Sequence, residues 1–508
     1  MARETDSRDS DTHDPATPER RPRARPAAQG LPQSPWQQPH QPDAPAPLTP
    51  EQQEAILTAA LTLLEETGID MGSPDLCRAL RAAGARVSGT TVRMGADFVT
   101  EMLARAPARI TITPRNPDRA LQFGTGLTSF GLVSSATHVW DIERGKRLGD
   151  WAAFRDMIRL AQQMNSLHFI GGYPVEPADI PPAERHLRCM AEVLRLSDKV
   201  CHAYALTPAQ AEEAMELVRL AAGLSPAEFA AAPRMFANIN PVTPLRQDGQ
   251  VLEAALRFAR QGQPVIVTSF VVAGVNAPAR VGGAVVLALA EALSAIALLQ
   301  FLAPGTPVML GALMPMADGA SGAPVYAGPE TALALRMMGQ MARRLGLPFR
   351  ASGGCTAAIP DGQGMWETAR ALSGAEQAGA AMIYHAAGWL EGGLTASPDK
   401  LLMDCEILQQ MARASAPDLA AITPEDLDPA SIARGCAQGF ARQGDAAPLR
   451  GFLSDLRSYE AWELDGALWT SERAHRLAAR LLEGAEDPAL DHAAAEALDA
   501  FVAARLAG

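Results

Sequence analysis

The chain lacks most of the features that assign a function at sight. Its six cysteines (Cys77, Cys189, Cys201, Cys355, Cys405 and Cys436) are scattered, with no C-x-x-C pair. That argues against a disulfide framework and for a reduced, cytoplasmic protein. There is no H-E-x-x-H motif, and no G-x-G-x-x-G turn opens a helix after the first strand-like run, so neither a zincin nor a dinucleotide fingerprint is present. Basic residues are outnumbered, 44 against 57 acidic, for a net charge of −13. Such a surface does not suit nucleic acid or an anionic membrane as main partner. No apolar run lies near the N-terminus, so no signal peptide is expected. Tyrosine is scarce, with five in 508 residues, so the positions of the five carry weight.

Residues 1–46 are rich in Pro, Arg, Asp, Gln and Ser and have little to bury, which predicts a disordered tail. Arg20, Arg21, Arg23 and Arg25 read as a solvated basic run. Thr49-Pro50-Glu51-Gln52 is a helix start: hydroxyl N-cap, Pro at N1, Gln at N3. With further short helices at 74–83 and 96–105, residues 49–125 read as a mostly helical N-terminal cap. From Leu127 the chain turns rhythmic. Apolar runs recur at 127–133, 167–173, 199–205, 234–240, 264–270, 307–313, 348–354 and 381–388, separated by helix-like stretches. Continuous rather than alternating apolarity suits strands buried on both faces. Eight such units predict an α/β fold, a (β/α)8 TIM barrel over residues 126–393; an open doubly wound sheet is the rival. Residues 281–303 are long enough to cross a bilayer, but Glu291 near their centre favours a buried core helix. Residues 394–508 read as a helical C-terminal extension opened by Ser397-Pro398-Asp399, with 440–466 irregular.

In a barrel the site lies at the carboxyl ends of the strands. Tyr173, Tyr204, Tyr326 and Tyr384 all fall at or just beyond predicted strands. Aromatic faces there could replace the water lost by a quaternary ammonium, although tyrosines also favour half-wet rims for their own sake. Asn238 and Asn240 lie two apart and point the same way if extended, either toward a ligand or into a structural network. Phe270, Gly354, His385, Trp389 and Glu391 complete the set of strand-end residues. Cys201, His202, Cys355 and His385 could ligate a metal only if they converged. The adjacent Cys201 and His202 face opposite sides of a strand, so no metal site is expected.

Four segments resemble one known family. They are Phe236-Ala-Asn-Ile-Asn-Pro-Val-Thr-Pro-Leu245, Ile359-Pro-Asp-Gly-Gln-Gly-Met-Trp-Glu367, Gly388-Trp-Leu-Glu-Gly-Gly-Leu-Thr-Ala-Ser397 and Tyr459-Glu-Ala-Trp462. Together, across residues 49–485, they are similar to the trimethylamine:corrinoid methyltransferase superfamily. The resemblance implies a barrel with added helices that moves a methyl group from a methylated amine to the Co(I) of a separate corrinoid (cobalamin) protein, with no tightly bound cofactor of its own. Aligned on Pro360-Asp361, the pyrrolysine of the founding members corresponds here to Gly354. The implied branch is therefore the pyrrolysine-free one, similar to glycine betaine methyltransferases. The same alignment puts Asp361, Gln363, Glu367 and Glu391 forward as catalytic candidates. It also admits three alternatives for them and for the pocket: helix capping by Asp361, a folate such as tetrahydrofolate as methyl acceptor, and a non-enzymatic quaternary-amine-binding protein. A homo-oligomer is compatible with the sequence.

Overall fold

Each apolar run becomes a strand because it offers apolar side chains to both of its faces. In the computed structural model, which describes residues 31, 33–39, 45–416, 422–424, 426–439 and 451–507, the eight runs hold β1 (Leu127–Leu132), β2 (Phe169–Ile170), β3 (Val200–Ala203), β4 (Phe236–Ile239), β5 (Val265–Phe270), β6 (Val308–Leu313), β7 (Phe349–Ser352) and β8 (Met382–Ala387). Each pairs in parallel with the next, and β8 pairs with β1 to close the ring. The fold is thus a closed TIM barrel, and the open-sheet alternative falls. Helices α1 (Trp151–Gln163), α2 (Pro182–Leu196), α3 (Pro208–Ala221), α4 (Gly249–Arg260), α5 (Val281–Leu302), α6 (Pro329–Arg344), α7 (Gly362–Gln377) and α8 (Pro398–Ala414) follow the strands in turn.

The barrel has its own core, distinct from the layer between strands and helices. Phe169, Val200, Phe236, Ile266, Met309 and Met382 fill its lower half, and Tyr384 lies above them. Space for these rings comes from small residues opposite them: a Cβ on Gly131 would fall 2.1 Å from the Phe169 ring. The antiparallel pair Ile110–Ile112 and Leu121–Phe123 floors the barrel with four buried apolar side chains. Solvent therefore reaches the interior from the other end, where the strands finish.

Two expectations are filled out by the structure. Residues 49–125 are not helical throughout. Besides the helices Pro50–Thr62, Pro74–Ala82 and Ala96–Leu103 they contribute the floor hairpin and a three-stranded antiparallel sheet of strands two or three residues long. Nor is the whole of 1–46 a free tail. Gln38–Pro39 add antiparallel to the start of β1, and the Trp36 indole donates to Ala120 O at 3.0 Å beneath the Arg119 guanidinium. One large aromatic ring and two backbone pairings hold this stretch despite its polar composition. The Arg20–Arg25 run and residues 440–450 lie outside the described residues.

Helix α5 is apolar all round because it is enclosed all round. It packs on β5 and β6, on the helices Pro50–Thr62 and Ala96–Leu103, and between α4 and α6. It alone among the described helices is long and apolar enough to cross a membrane, and most of it is buried inside the protein. Its central Glu291 is fully buried and accepts hydrogen bonds from the Leu245 N–H and the Thr243 hydroxyl, both at 2.8 Å. The carboxylate therefore ties down the loop that leaves β4. Burial pushes its pKa up to about 7, against those two hydrogen bonds.

An acid whose folded pKa is raised holds its proton more tightly when folded. The stability it favours is complete below the unfolded value of about 4.5 and is lost as pH rises toward 7. Glu291→Gln is therefore expected to melt closer to wild type at pH 5 than at pH 7.5, with the relative gain on the order of 2 kcal/mol. Thermal melts at the two pH values check this; parallel curves would refute it.

Candidate active site

Four of the five tyrosines meet in one arc of rings across the open end of the barrel. Successive centroids run from Tyr173 to Tyr204 (5.1 Å), His202 (6.3 Å), Tyr384 (6.0 Å), His385 (5.4 Å), Trp389 (4.3 Å) and Tyr326 (5.6 Å). Tyr204 and Phe270 stand at the rim, each 37% exposed, whereas Tyr384 is buried. The rings come from β2, β3, β8 and the loop after β6, so only barrel closure brings them together.

His385 owes its place to irregular backbone. The β8–β1 register shifts between Ile383 and Ala387, and His385 takes φ +55°, which a non-glycine residue adopts only when its surroundings hold it there. Burial and the nearby Arg350 push both His385 and His202 down, His202 to about 3, so both rings are neutral. The His202 Nε2 accepts from the Asn238 N–H at 3.2 Å, which leaves the proton on Nδ1.

Asn238 and Asn240 do face the same way. The Asn238 amide donates to Asn240 Oδ1 at 3.1 Å and accepts from the Thr268 hydroxyl at 2.7 Å, while the Asn240 amide donates to Thr268 O at 2.8 Å. The pair cross-links β4 to β5 at the rim, and Asn240 remains exposed. Gly354 lies under the Trp389 indole. A Cβ there would sit 3.2 Å from Nε1, and φ is +129°. The indole N–H donates to Cys355 O at 3.1 Å, and the Cys355 thiol donates to Trp389 O at 3.0 Å. At position 354 the chain thus has a bare backbone with a tryptophan laid across it.

The four carboxylate and amide candidates are occupied by the loops. Asp361 is the N-cap of α7, accepting from the Gly364 N–H at 3.1 Å. Glu367, buried on the first turns of α7, accepts from the Thr356 N–H (2.6 Å), the Thr356 hydroxyl (2.9 Å), the Ala357 N–H (3.2 Å) and the Gln363 amide (2.8 Å). Together Glu367 and Gln363 clamp the loop that carries Gly354. Glu391, just past β8, is half-buried. It pairs with Lys146 at 2.6 Å and accepts from the Thr395 hydroxyl at 2.7 Å, and the Lys146 bond lowers its pKa.

Arg350 escaped the sequence reading. It is one basic residue inside an apolar run, and nothing in the run says which face it takes. Its side chain lies inside the barrel, 3% exposed, with Cζ 4.3 Å from the Tyr384 ring centroid and Nη1 donating to the Ser352 hydroxyl at 2.7 Å. Of the four metal-ligand candidates, Cys201 belongs to the core outside the barrel, and among the described residues no His, Cys, Asp and Glu group is arranged to hold a metal.

Comparison with known proteins agrees with this architecture. The family model "Trimethylamine methyltransferase (MTTB)" matches residues 17–508. The glycine betaine methyltransferase of Desulfitobacterium hafniense (strain Y51) is 30% identical over 466 residues, 90% of this chain and 96% of that one. The trimethylamine methyltransferase MttB of Methanosarcina thermophila is 26% identical over 470 residues, 87% and 94% of the two chains. Among solved structures, the Methanosarcina barkeri monomethylamine methyltransferase (MtmB) aligns with TM-score 0.52 at 9% identity, covering 85% of this chain and 86% of that one, a likeness of fold alone.

The loop contacts set an order of sensitivity. Glu367→Ala orphans buried donors and is expected to cost about 2–4 kcal/mol of stability. Asp361→Ala, which removes one cap, should cost about 1 kcal/mol. Hydrogen exchange at residues 354–357 should rise in the first variant and stay near wild type in the second. Equal losses, or unchanged exchange in Glu367→Ala, would contradict the clamp.

Proposed function

Because the chain belongs to the trimethylamine methyltransferase family, matched from residue 17 to its end, we propose that it takes one methyl group from a quaternary amine such as glycine betaine and hands it to the Co(I) of a corrinoid carried by a separate protein. That it is a methyltransferase acting on a methylated amine follows from the family itself. The choice of a quaternary amine rests on the arc of rings. Aromatic faces replace the water that a methylated cation gives up, while offering no proton donor. None is required, since a quaternary amine departs as a neutral tertiary amine once a methyl is removed. The residues here need only desolvate the cation, aim one methyl outward and exclude competing water. The neutral His202 and His385 fit that task, as does a β7 loop without a reactive side chain at Gly354.

The acceptor reading rests on where apolar surface is exposed. Among the described residues from 45 to 400, the exposed large apolar side chains are Ile142, Leu148, Tyr204, Leu206, Val242, Phe270, Val275, Leu333, Ile359, Trp366 and Leu394. All lie in the segments that follow strands or in the first turns of the helices they lead into, none at the floor of the barrel. Further exposed apolar side chains (Ile422, Leu427, Ile432, Leu456, Tyr459, Leu464 and Trp469) lie in the C-terminal extension, but those on the strand-end face surround the site as a crown and suit an interaction surface there. Its occupant here is the protein that presents the corrinoid; the corrinoid supplies the nucleophilic Co(I) when that protein is docked. Six unpaired cysteines, five of them buried, suit a reducing, cytoplasmic setting.

The test is methyl transfer from glycine betaine, proline betaine, carnitine and choline to Co(I) cobalamin, followed by the methylcobalamin spectrum. Methylcobalamin with at least one of them is expected, together with the demethylated amine. No product from any of the four would refute the reading, and transfer to tetrahydrofolate without cobalamin would replace the acceptor. Leu394→Glu or Trp366→Glu in the crown should slow transfer to a protein-bound corrinoid by about tenfold or more while leaving amine binding intact.

A further inference from the structure

The barrel interior holds a positive charge that no ion pair among the described residues neutralises. Arg350 is 3% exposed, and its one hydrogen bond goes to the neutral Ser352 hydroxyl. Its Nε–H has no partner, and no carboxylate among the described residues lies within ion-pairing reach of it. Tyr384, whose ring the guanidinium covers, also leaves its buried hydroxyl without a partner. The two imidazoles nearest this charge are neutral and cannot balance it. Burial lowers the arginine only to about 10, so it stays cationic at neutral pH. Buried charges are ordinarily paired, and buried donors are ordinarily bonded. An unpaired guanidinium beside an unpaired phenol therefore presents two donors suited to an oxyanion, and arginine is the side chain best shaped to take a carboxylate.

We propose that Arg350, with the Tyr384 hydroxyl, anchors the carboxylate of the substrate deep in the barrel, so that the methylated nitrogen is held toward the mouth. The inference rests on the methylated-amine reading above and adds to it an orientation and a specificity determinant. Arg350 and Tyr384 are buried, whereas Tyr204 and Phe270, at the open end, are each 37% exposed. A zwitterion spanning that depth places its anion on the guanidinium and its cation among the rings, with methyl groups facing the side from which the acceptor arrives. The same fixed charge repels a methylated cation that has no carboxylate. Choline and tetramethylammonium are thus rejected by an electrostatic cost as well as by the loss of the ion pair. Arg350 is a binding and positioning residue and takes no part in bond making.

The test uses the full chain and isothermal titration with three probes: glycine betaine, choline, and 3,3-dimethylbutanoate, which keeps the carboxylate and replaces the cation with a neutral isostere. Wild type is expected to bind glycine betaine about 100-fold or more tightly than choline, as a site built to pair a polar group rejects an analogue lacking it. Arg350→Met should lose about 100-fold or more for glycine betaine and for 3,3-dimethylbutanoate, and so close the gap to choline. Arg350→Lys should keep part of the affinity. Unliganded Arg350→Met should melt at or above the wild-type temperature, because a buried charge without a partner is gone. A methionine variant that melts well below wild type yet keeps its affinity for glycine betaine would show a structural arginine and overturn the proposal. If choline binds wild type as well as glycine betaine does, the anchor falls while the methylated-amine reading stands. If none of the three probes nor tetramethylammonium binds, both fall.

Discussion

The pairing of β8 with β1 is the contact on which the rest depends. Met382 opposite Ser129 and Ile383 opposite Phe130 close eight strands into a ring, and the register shift before Ala387 turns His385 inward as the ring closes. An open sheet with the same strands would leave Tyr173 and Tyr204 at one edge and Tyr384 and Trp389 at the other. Closure converts residues more than 200 positions apart into one ring-lined mouth, and it withdraws Arg350 from water. The apolar floor makes this interior one-ended, so everything that enters does so past the strand tips.

Within that enclosure the electrostatics are simple. Two histidines are held neutral, the tyrosine hydroxyls are pushed further from ionising by burial, and one guanidinium stays charged. The acidic groups near the mouth are occupied elsewhere: Glu367 by loop N–H groups, Asp361 by a helix end, Glu391 by Lys146. The pocket therefore discriminates by desolvation and by a single fixed charge, which suits a displacement that needs no proton transfer. The carboxylates act one step removed from the pocket, by fixing the backbone around Gly354 and Trp389.

How much of this was legible in the sequence follows from the range of each interaction. The strands were readable because a doubly buried strand is a continuous apolar run, and all eight fall inside the apolar runs of the sequence. The shared direction of Asn238 and Asn240 and the capping role open to Asp361 were readable because two-residue alternation and N-cap spacing are local. The strand at Gln38–Pro39 was not, since a Pro- and Gln-rich segment gains its order only from tertiary contacts, namely the Trp36 indole, the Gln37 hydrogen bonds and the pairing with β1. The short strands before residue 125 were hidden for a similar reason, as two or three residues carry no period to detect. Arg350 was the least legible site residue. An arginine in an apolar run is ambiguous until the ring exists to say which side is inside.

A zwitterionic amine anchored on Arg350 lies along the barrel axis with its anion down and its methyl groups up. An experimental structure of the chain with glycine betaine bound tests this most directly. The carboxylate is expected within hydrogen-bonding distance of the Arg350 guanidinium and the Tyr384 hydroxyl, with the trimethylammonium group against the Tyr204 and Trp389 rings. A reversed ligand, or one held outside the mouth with Arg350 still unpaired, would contradict it.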